Sequence, residues 1–222
     1  MAAKKGTGIY LVYADVPPDM EDDFNRWYDE EHIPQLLAVP GFLDAARYEA
    51  VQGGPRYLAV YELASPEVRD SAPYREVADH PTEWTQRVDL RRRATRFIAN
   101  NYRQIWPSDI PGDSERSLPP VLQIGRMGIP EDQEEEWNSF YNSVYAPEFL
   151  KCAGCISARR YELYTGDGPK YSVVYEVESL EARETEEWKT IPDRAGGNLP
   201  DIYPRMWHAE GSAGVYRRVF PS

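Results

Sequence analysis

Trp27-Tyr-Asp-Glu-Glu-His-Ile-Pro-Gln-Leu-Leu-Ala-Val-Pro-Gly-Phe-Leu-Asp-Ala-Ala-Arg-Tyr-Glu49 returns, much altered, as Phe140-Tyr-Asn-Ser-Val-Tyr-Ala-Pro-Glu-Phe-Leu-Lys-Cys-Ala-Gly-Cys-Ile-Ser-Ala-Arg-Arg-Tyr-Glu162. Tyr28 meets Tyr141, Pro34 meets Pro147, Leu37 meets Leu150, Gly41 meets Gly154, and Arg47-Tyr48-Glu49 meets Arg160-Tyr161-Glu162. After one inserted residue the match resumes: Pro55-Arg56-Tyr57 against Pro169-Lys170-Tyr171, Val60-Tyr61-Glu62 against Val174-Tyr175-Glu176, and Tyr102-Arg103 against Tyr216-Arg217. A repeat found in this order dictates the architecture before any single element is read. The chain divides into residues 7–106, a Pro- and Ser-rich linker at 107–119, and a second copy at 120–220.

Each copy has the same grammar. In the first, the apolar run Gly8–Ala14, closed by Pro17-Pro18, reads as a strand. Phe24, Trp27 and Tyr28 follow at helical spacing and mark a buried helix face. Pro34 disfavours helical geometry at Ile33, which predicts that this helix ends or kinks near His32. Val39-Pro-Gly-Phe42 turns into a strand, Gln52-Gly-Gly-Pro55 makes a hairpin, and the return strand is Tyr57–Leu63. A helical stretch broken by Pro73 and Pro81 leads to a last strand near Arg96. The order β-α-β-β-α-β is that of a ferredoxin-like unit, so the expected fold is α+β: two tandem units forming a pseudo-dimer.

Composition bounds the function. Of 222 residues, 28% are charged and 41% hydrophobic, as in ordinary globular proteins. The net charge of -12 speaks against nucleic-acid binding. Arg91, Arg92 and Arg93 form the one basic cluster and read as a solvated helix end. No apolar run is long enough to cross a bilayer, and nothing at the start resembles a signal peptide, so a cytoplasmic protein without membrane contact is expected. GxGxxG, Walker, GxSxG and HExxH motifs are absent. Cys152 and Cys155 align with Val39 and Phe42, which makes them small buried hydrophobes, and no metal site is expected.

The segment densest in chemistry is Trp27 to Pro34. Tyr28 and His32 stand four apart, on one helix face. At the expected helix end the dipole favours the imidazolium, and Asp29 is placed to orient the ring. That makes His32 a proton-transfer group or, equally, a helix cap. In the second copy His32 becomes Tyr145 and Asp29 becomes Asn142, while Pro147, Gly154 and Tyr161 are kept. The scaffold is thus shared and the ionisable set is not, which predicts one asymmetric site per chain. Trp27, Glu31, Tyr48, Arg47 and His80 are candidates for binding substrate, with a shared salt bridge the alternative for Arg47 and a loop the alternative for His80. The 16 tyrosines and six tryptophans suggest a ring-lined pocket for a flat hydrophobic or phenolic ligand.

The aromatic pair, the acid-acid-His-x-Pro of Glu30 to Pro34 and the Pro40-Gly-Phe42 turn resemble the EthD-like members of the dimeric α/β-barrel superfamily. The resemblance is strongest over Phe24–Tyr48, weaker over Tyr57–Leu63 and topological elsewhere. It implies ferredoxin-like units paired through their sheets, with a pocket between sheet and helices. It also implies a choice among lyases, isomerases, monooxygenases, haem enzymes and members without known activity. The leading expectation is a cofactor-independent lyase or isomerase with His32 as general acid or base, Asp29 its partner and Tyr28 a donor to a developing oxyanion. The alternatives are a cofactor-free monooxygenase and a non-catalytic carrier of a hydrophobic metabolite. By position, His208 is the one candidate haem ligand. Two copies can close a barrel within one chain or pair in a homodimer, and the sequence does not choose.

Overall fold

The structure is a computed structural model that describes residues 3–109 and 115–221, so part of the expected linker at 107–119 lies outside the described residues. The first half contains β1 (Gly8–Asp15), α1 (Glu21–Trp27), α2 (Ile33–Leu37), β2 (Phe42–Gln52) and β3 (Tyr57–Leu63). It continues with α3 (Ala72–Asp79), α4 (Glu83–Val88), α5 (Leu90–Arg93) and β4 (Arg96–Trp106). The second half repeats the pattern with β5 (Val121–Gly128), α6 (Glu134–Phe140), α7 (Ala146–Leu150), β6 (Cys155–Thr165) and β7 (Tyr171–Val177). Short helical turns between residues 180 and 202, the two-residue strand β8 (Trp207–His208) and β9 (Gly214–Phe220) complete it.

All pairings are antiparallel, and eight strands form a ring: β4-β1-β3-β2 from the first half and β9-β5-β7-β6 from the second. The seams are β2 with β9, where Arg47 faces Phe220, and β4 with β6, where Tyr102 faces Leu163. The barrel therefore closes within one chain. Closure satisfies the backbone groups that each half would expose at β2 and β4.

Strand parity explains why β1 reads as a nearly unbroken apolar run. Ile9, Leu11 and Tyr13 point into the barrel, while Tyr10, Val12 and Ala14 point outward under the helices. Both faces are buried, so both must be apolar. Three cores result: the barrel interior, the α1–α5 layer on the first half, and the matching layer on the second. Cys152 is buried in the last of these, as its alignment with Val39 predicts, and Cys155, aligned with Phe42, is half-buried against it.

The first helix departs from expectation at Pro34. It does not end near His32: a π turn, Tyr28–His32, joins α1 to α2, and the Ile33 N–H bonds the carbonyl of Tyr28 five residues back. Proline has no N–H to offer Glu30, and the wider turn carries the chain past this missing bond. Tyr141–Tyr145 makes the same turn before Pro147. His32 therefore sits in mid-helix, and the dipole of a helix end does not act on it.

Candidate functional site

Between the first helices and the outer face of β1 and β4 lies a cavity of about 370 Å³. Its floor and walls include Tyr10, Val12, Trp27, Tyr28, His32 and Leu36, with Tyr74, Thr85, Asp89, Arg91 and Phe97 toward the later helices. Such a volume suits a small-molecule ligand. The π turn brings Trp27, Tyr28 and His32 to one wall. The imidazole stacks on Trp27 with ring centroids 4.3 Å apart and meets the edge of Tyr28 at 5.3 Å. Trp27 is held in turn by its indole N–H, which donates to Thr85 Oγ1 at 3.1 Å.

His32 Nδ1 is enclosed and has no hydrogen-bond partner. Burial pushes its pKa down to about 4, because the imidazolium loses hydration that nothing nearby replaces. At neutral pH the ring is uncharged. Burial likewise raises the pKa of Tyr28, so its phenol stays protonated and can donate.

The other expected residues lie elsewhere. Asp29 does not orient His32: its Oδ1 accepts from Arg47 Nη1 at 2.8 Å. Arg47 also donates to the Asn25 carbonyl and to Asn25 Oδ1, and its guanidinium lies 4.9 Å from the Tyr28 ring centroid. In the second half Arg160 reaches the carbonyl and Oδ1 of Asn138, and Asn142 Oδ1 in the place of Asp29. This clamp ties helix to sheet in both halves: Arg47 pairs with Asp29, and Arg160 binds an uncharged asparagine in the same place, so the salt bridge itself occurs in the first half.

Glu31 accepts from Thr82 Oγ1 at 2.6 Å and from Thr85 Oγ1 at 3.3 Å, outside the cavity, and so secures the start of α4. Tyr48 faces the barrel interior and donates to the Pro119 carbonyl at 2.8 Å, on the wrong side of the sheet to touch a ligand. His80 is exposed beyond α3, its Nδ1 3.0 Å from the Glu76 carbonyl, and is a loop residue. Of the eight expected site residues, Trp27, Tyr28 and His32 line the cavity.

Residues that the sequence reading passed over complete the wall. Tyr10 was legible from strand parity, since alternate positions of β1 must face the helices. Asp89 and Arg91 were not. Asp89 has φ 38, alone among described non-glycine residues in the left-handed region, and its turn separates α4 from α5. Arg91, Arg92 and Arg93 are exposed in the last turn of α5, the solvated helix end expected of them, and Arg91 also borders the cavity.

A second cavity of about 240 Å³ occupies the equivalent place in the other half. There Gln123 replaces Tyr10, Tyr145 replaces His32 and Phe149 replaces Leu36. The larger Phe149 takes up space, and the ionisable group of the first site is gone. His208 stands exposed on β8 at its edge.

Residues 7–87 match a family model described as a domain of unknown function, DUF4286. No curated protein matches the chain in sequence. Among solved structures, an anthrone oxidase-like protein is 11% identical, with a TM-score of 0.58 over 98% of this chain and 94% of its own. A monooxygenase candidate from Lactobacillus acidophilus is 10% identical, with a TM-score of 0.55 over 96% and 94%. A mutant chlorite dismutase from Candidatus Nitrospira defluvii, solved with cyanide, is 10% identical, with a TM-score of 0.56 over 100% and 92%. At such identities the likeness is one of fold, and the chain has the dimeric α/β-barrel fold.

These neighbours correct the expectation of a protein working without a cofactor. Chlorite dismutases share the fold, which therefore does not imply cofactor independence. The His208 cavity itself does not fit haem. At about 240 Å³ it falls below the roughly 300 Å³ at which ligand pockets begin, and among the described residues no lysine or arginine lines it to meet the propionates.

Proposed function

We propose that the first cavity is the active site of an enzyme of monooxygenase type acting on a small, flat, phenolic or otherwise acidic aromatic compound. The single observation that carries this reading is His32: uncharged, stacked on Trp27, and enclosed in a cavity of about 370 Å³. A neutral imidazole accepts a proton on Nε2 when hydrogen occupies Nδ1. The acceptor is weak while the site is empty. Once a phenol or an activated C–H gives up its proton, the new anion beside the imidazolium stabilises it, and a dry site strengthens that pairing. Tyr28, protonated on the same wall, would donate to the developing oxyanion. The electron-rich anion is the reductant of dioxygen: one oxygen atom bonds to a ring carbon and becomes the second carbonyl of a quinone, and the other leaves as water with the two hydrogens that the substrate loses. Neighbours named for oxidase and monooxygenase activity support this at the level of fold.

In this reading the two halves, 7–106 and 120–220, descend from one ferredoxin-like unit by duplication and form a pseudo-dimer about the linker. The first keeps the acid–base group and the second serves as scaffold. A partner chain is not needed to close the barrel.

The test is dioxygen consumption, with product analysis by mass spectrometry, over a panel of phenols and polycyclic aromatics. Turnover should fall by about 10²-fold or more in His32→Gln, as for loss of a general base. Unchanged turnover in that variant sinks the assignment. Conversion without oxygen uptake moves the same proton transfer to a lyase or isomerase.

A further inference from the structure

We infer that the ligand of the His32 cavity carries a carboxylate, and that Arg91 binds it at the cavity wall. The inference rests on reading this cavity as a ligand site and adds the class of molecule it selects.

Arg91 lies on the four-residue helix α5, just after the left-handed turn at Asp89. Its guanidinium sits 5.1 Å from the centroid of Phe97, another wall residue. Among the described residues no carboxylate comes within 4 Å of it, although the chain carries 37 acidic residues against 25 basic ones. A second arginine backs the same wall. Arg69 lies 3.8 Å from the centroid of Tyr10 and donates to Tyr74 Oη at 3.0 and 3.3 Å, again with no carboxylate within 4 Å among the described residues. Tyr10 and Tyr74 both line the cavity. Both cations reach Tyr10 electrostatically: burial pushes its hydroxyl up to about 12 against the pull of Arg69 and Arg91.

His32 is neutral, so it adds no positive charge of its own. The opposing group is Asp89, whose carboxylate shares the wall with Arg91. Arg69, from behind the ring wall, offsets it. An arginine fork left without an acid partner beside an aromatic slot is suited to a planar carboxylate on an aromatic ring. With the carboxylate on Arg91, the ring lies between Tyr10, Phe97 and Trp27, and the far edge of the ligand reaches His32.

Calorimetric titration of the whole chain with 2-naphthoate and with 2-naphthamide, near-isosteres that differ in charge, tests this without requiring turnover. The acid should bind about tenfold more tightly than the amide. Arg91→Gln should abolish the preference by weakening the acid far more than the amide, with Tm unchanged, since Arg91 is exposed. Asp89→Asn, which tolerates the left-handed backbone, should widen the preference. Equal affinities, or a preference that survives Arg91→Gln, overturn the inference and leave the His32 reading standing. Failure of both probes to bind overturns both readings for bicyclic aromatics. If both bind as expected but His32→Gln turns over normally in the oxygen assay, the proposed chemistry falls and the carboxylate site remains.

Discussion

At the scale of single residues, His32 and Asp29 are neighbours in sequence with opposite surroundings. Burial holds the imidazole neutral, with a pKa near 4 against an ordinary 6.5. Because the folded state binds this proton less readily than the unfolded chain, the contribution is fully present above pH 6.5. It is lost as pH falls through about 4, and amounts to on the order of 3 kcal/mol. Chemical denaturation between pH 7 and 4 should therefore show a steeper loss in the wild type than in His32→Gln. Parallel curves would mean that the ring is hydrated. Asp29, by contrast, accepts from Arg47, and Asn142 accepts from Arg160 in the same place. Asp29→Asn should keep activity and cost less than about 1 kcal/mol, whereas Arg47→Ala, which leaves Asp29 and Asn25 without their donor, should cost about 2–4 kcal/mol. A loss of turnover in Asp29→Asn at unchanged Tm would restore Asp29 to the acid–base group. The sequence could place His32 and Asp29 three apart. It could not show which of the helix's faces each occupies, because that depends on a turn that is not α-helical.

That turn is the decisive feature at the scale of elements. With regular α-helical spacing, Pro34 signals a helix end, and the sequence was read so. The five-residue return of Tyr28–His32 instead absorbs the missing N–H and rotates His32 onto the Trp27 wall. Removing one exposed residue, Glu30, should restore a plain α-helix through the segment with both flanking halves still in phase. We expect a folded protein with unchanged far-ultraviolet circular dichroism and a Tm within a few degrees of wild type. Turnover and 2-naphthamide affinity should fall at least tenfold, because the imidazole no longer faces the cavity. Full activity in the deletion variant would show that the π turn has no part in the site. The strands needed no such correction: β2 and β3 begin where the Pro-Gly and Gly-Gly-Pro turns put them. The later helices did, since Pro73 and Pro81 hide the segments that bring Tyr74, Thr85 and Arg91 to the cavity.

At the scale of the whole molecule, the repeat made the two-part order of elements legible, whereas barrel closure within the chain depends on long-range pairing that no local pattern encodes. One further long-range feature was invisible: Glu62 and Glu176 are equivalent positions, yet only the second copy supplies Arg159, whose counterpart is Ala46. Arg159 bridges both glutamates inside the barrel, at 3.1 Å to Glu62 Oε2 and 3.2 Å to Glu176 Oε1, and Lys5 bonds Glu176 as well. All four groups are buried, and their formal charges cancel. Burial alone would raise the Glu176 pKa, but Arg159 and Lys5 outweigh it and hold it below the ordinary value. Arg159→Met should therefore leave two buried carboxylates with one ammonium, at a cost of about 3–5 kcal/mol and a Tm lower by on the order of 10 °C. The sign of the pH dependence follows. Without Arg159 burial dominates at Glu176, its carboxyl pKa rises above that of the unfolded chain, and protonation relieves the penalty. The gap between variant and wild type should thus narrow from pH 8 to pH 5, and adding Glu62→Gln to Arg159→Met should recover part of the loss at pH 8. A gap that stays constant with pH would mean that Arg159 acts by packing alone and that the barrel is not joined through charge.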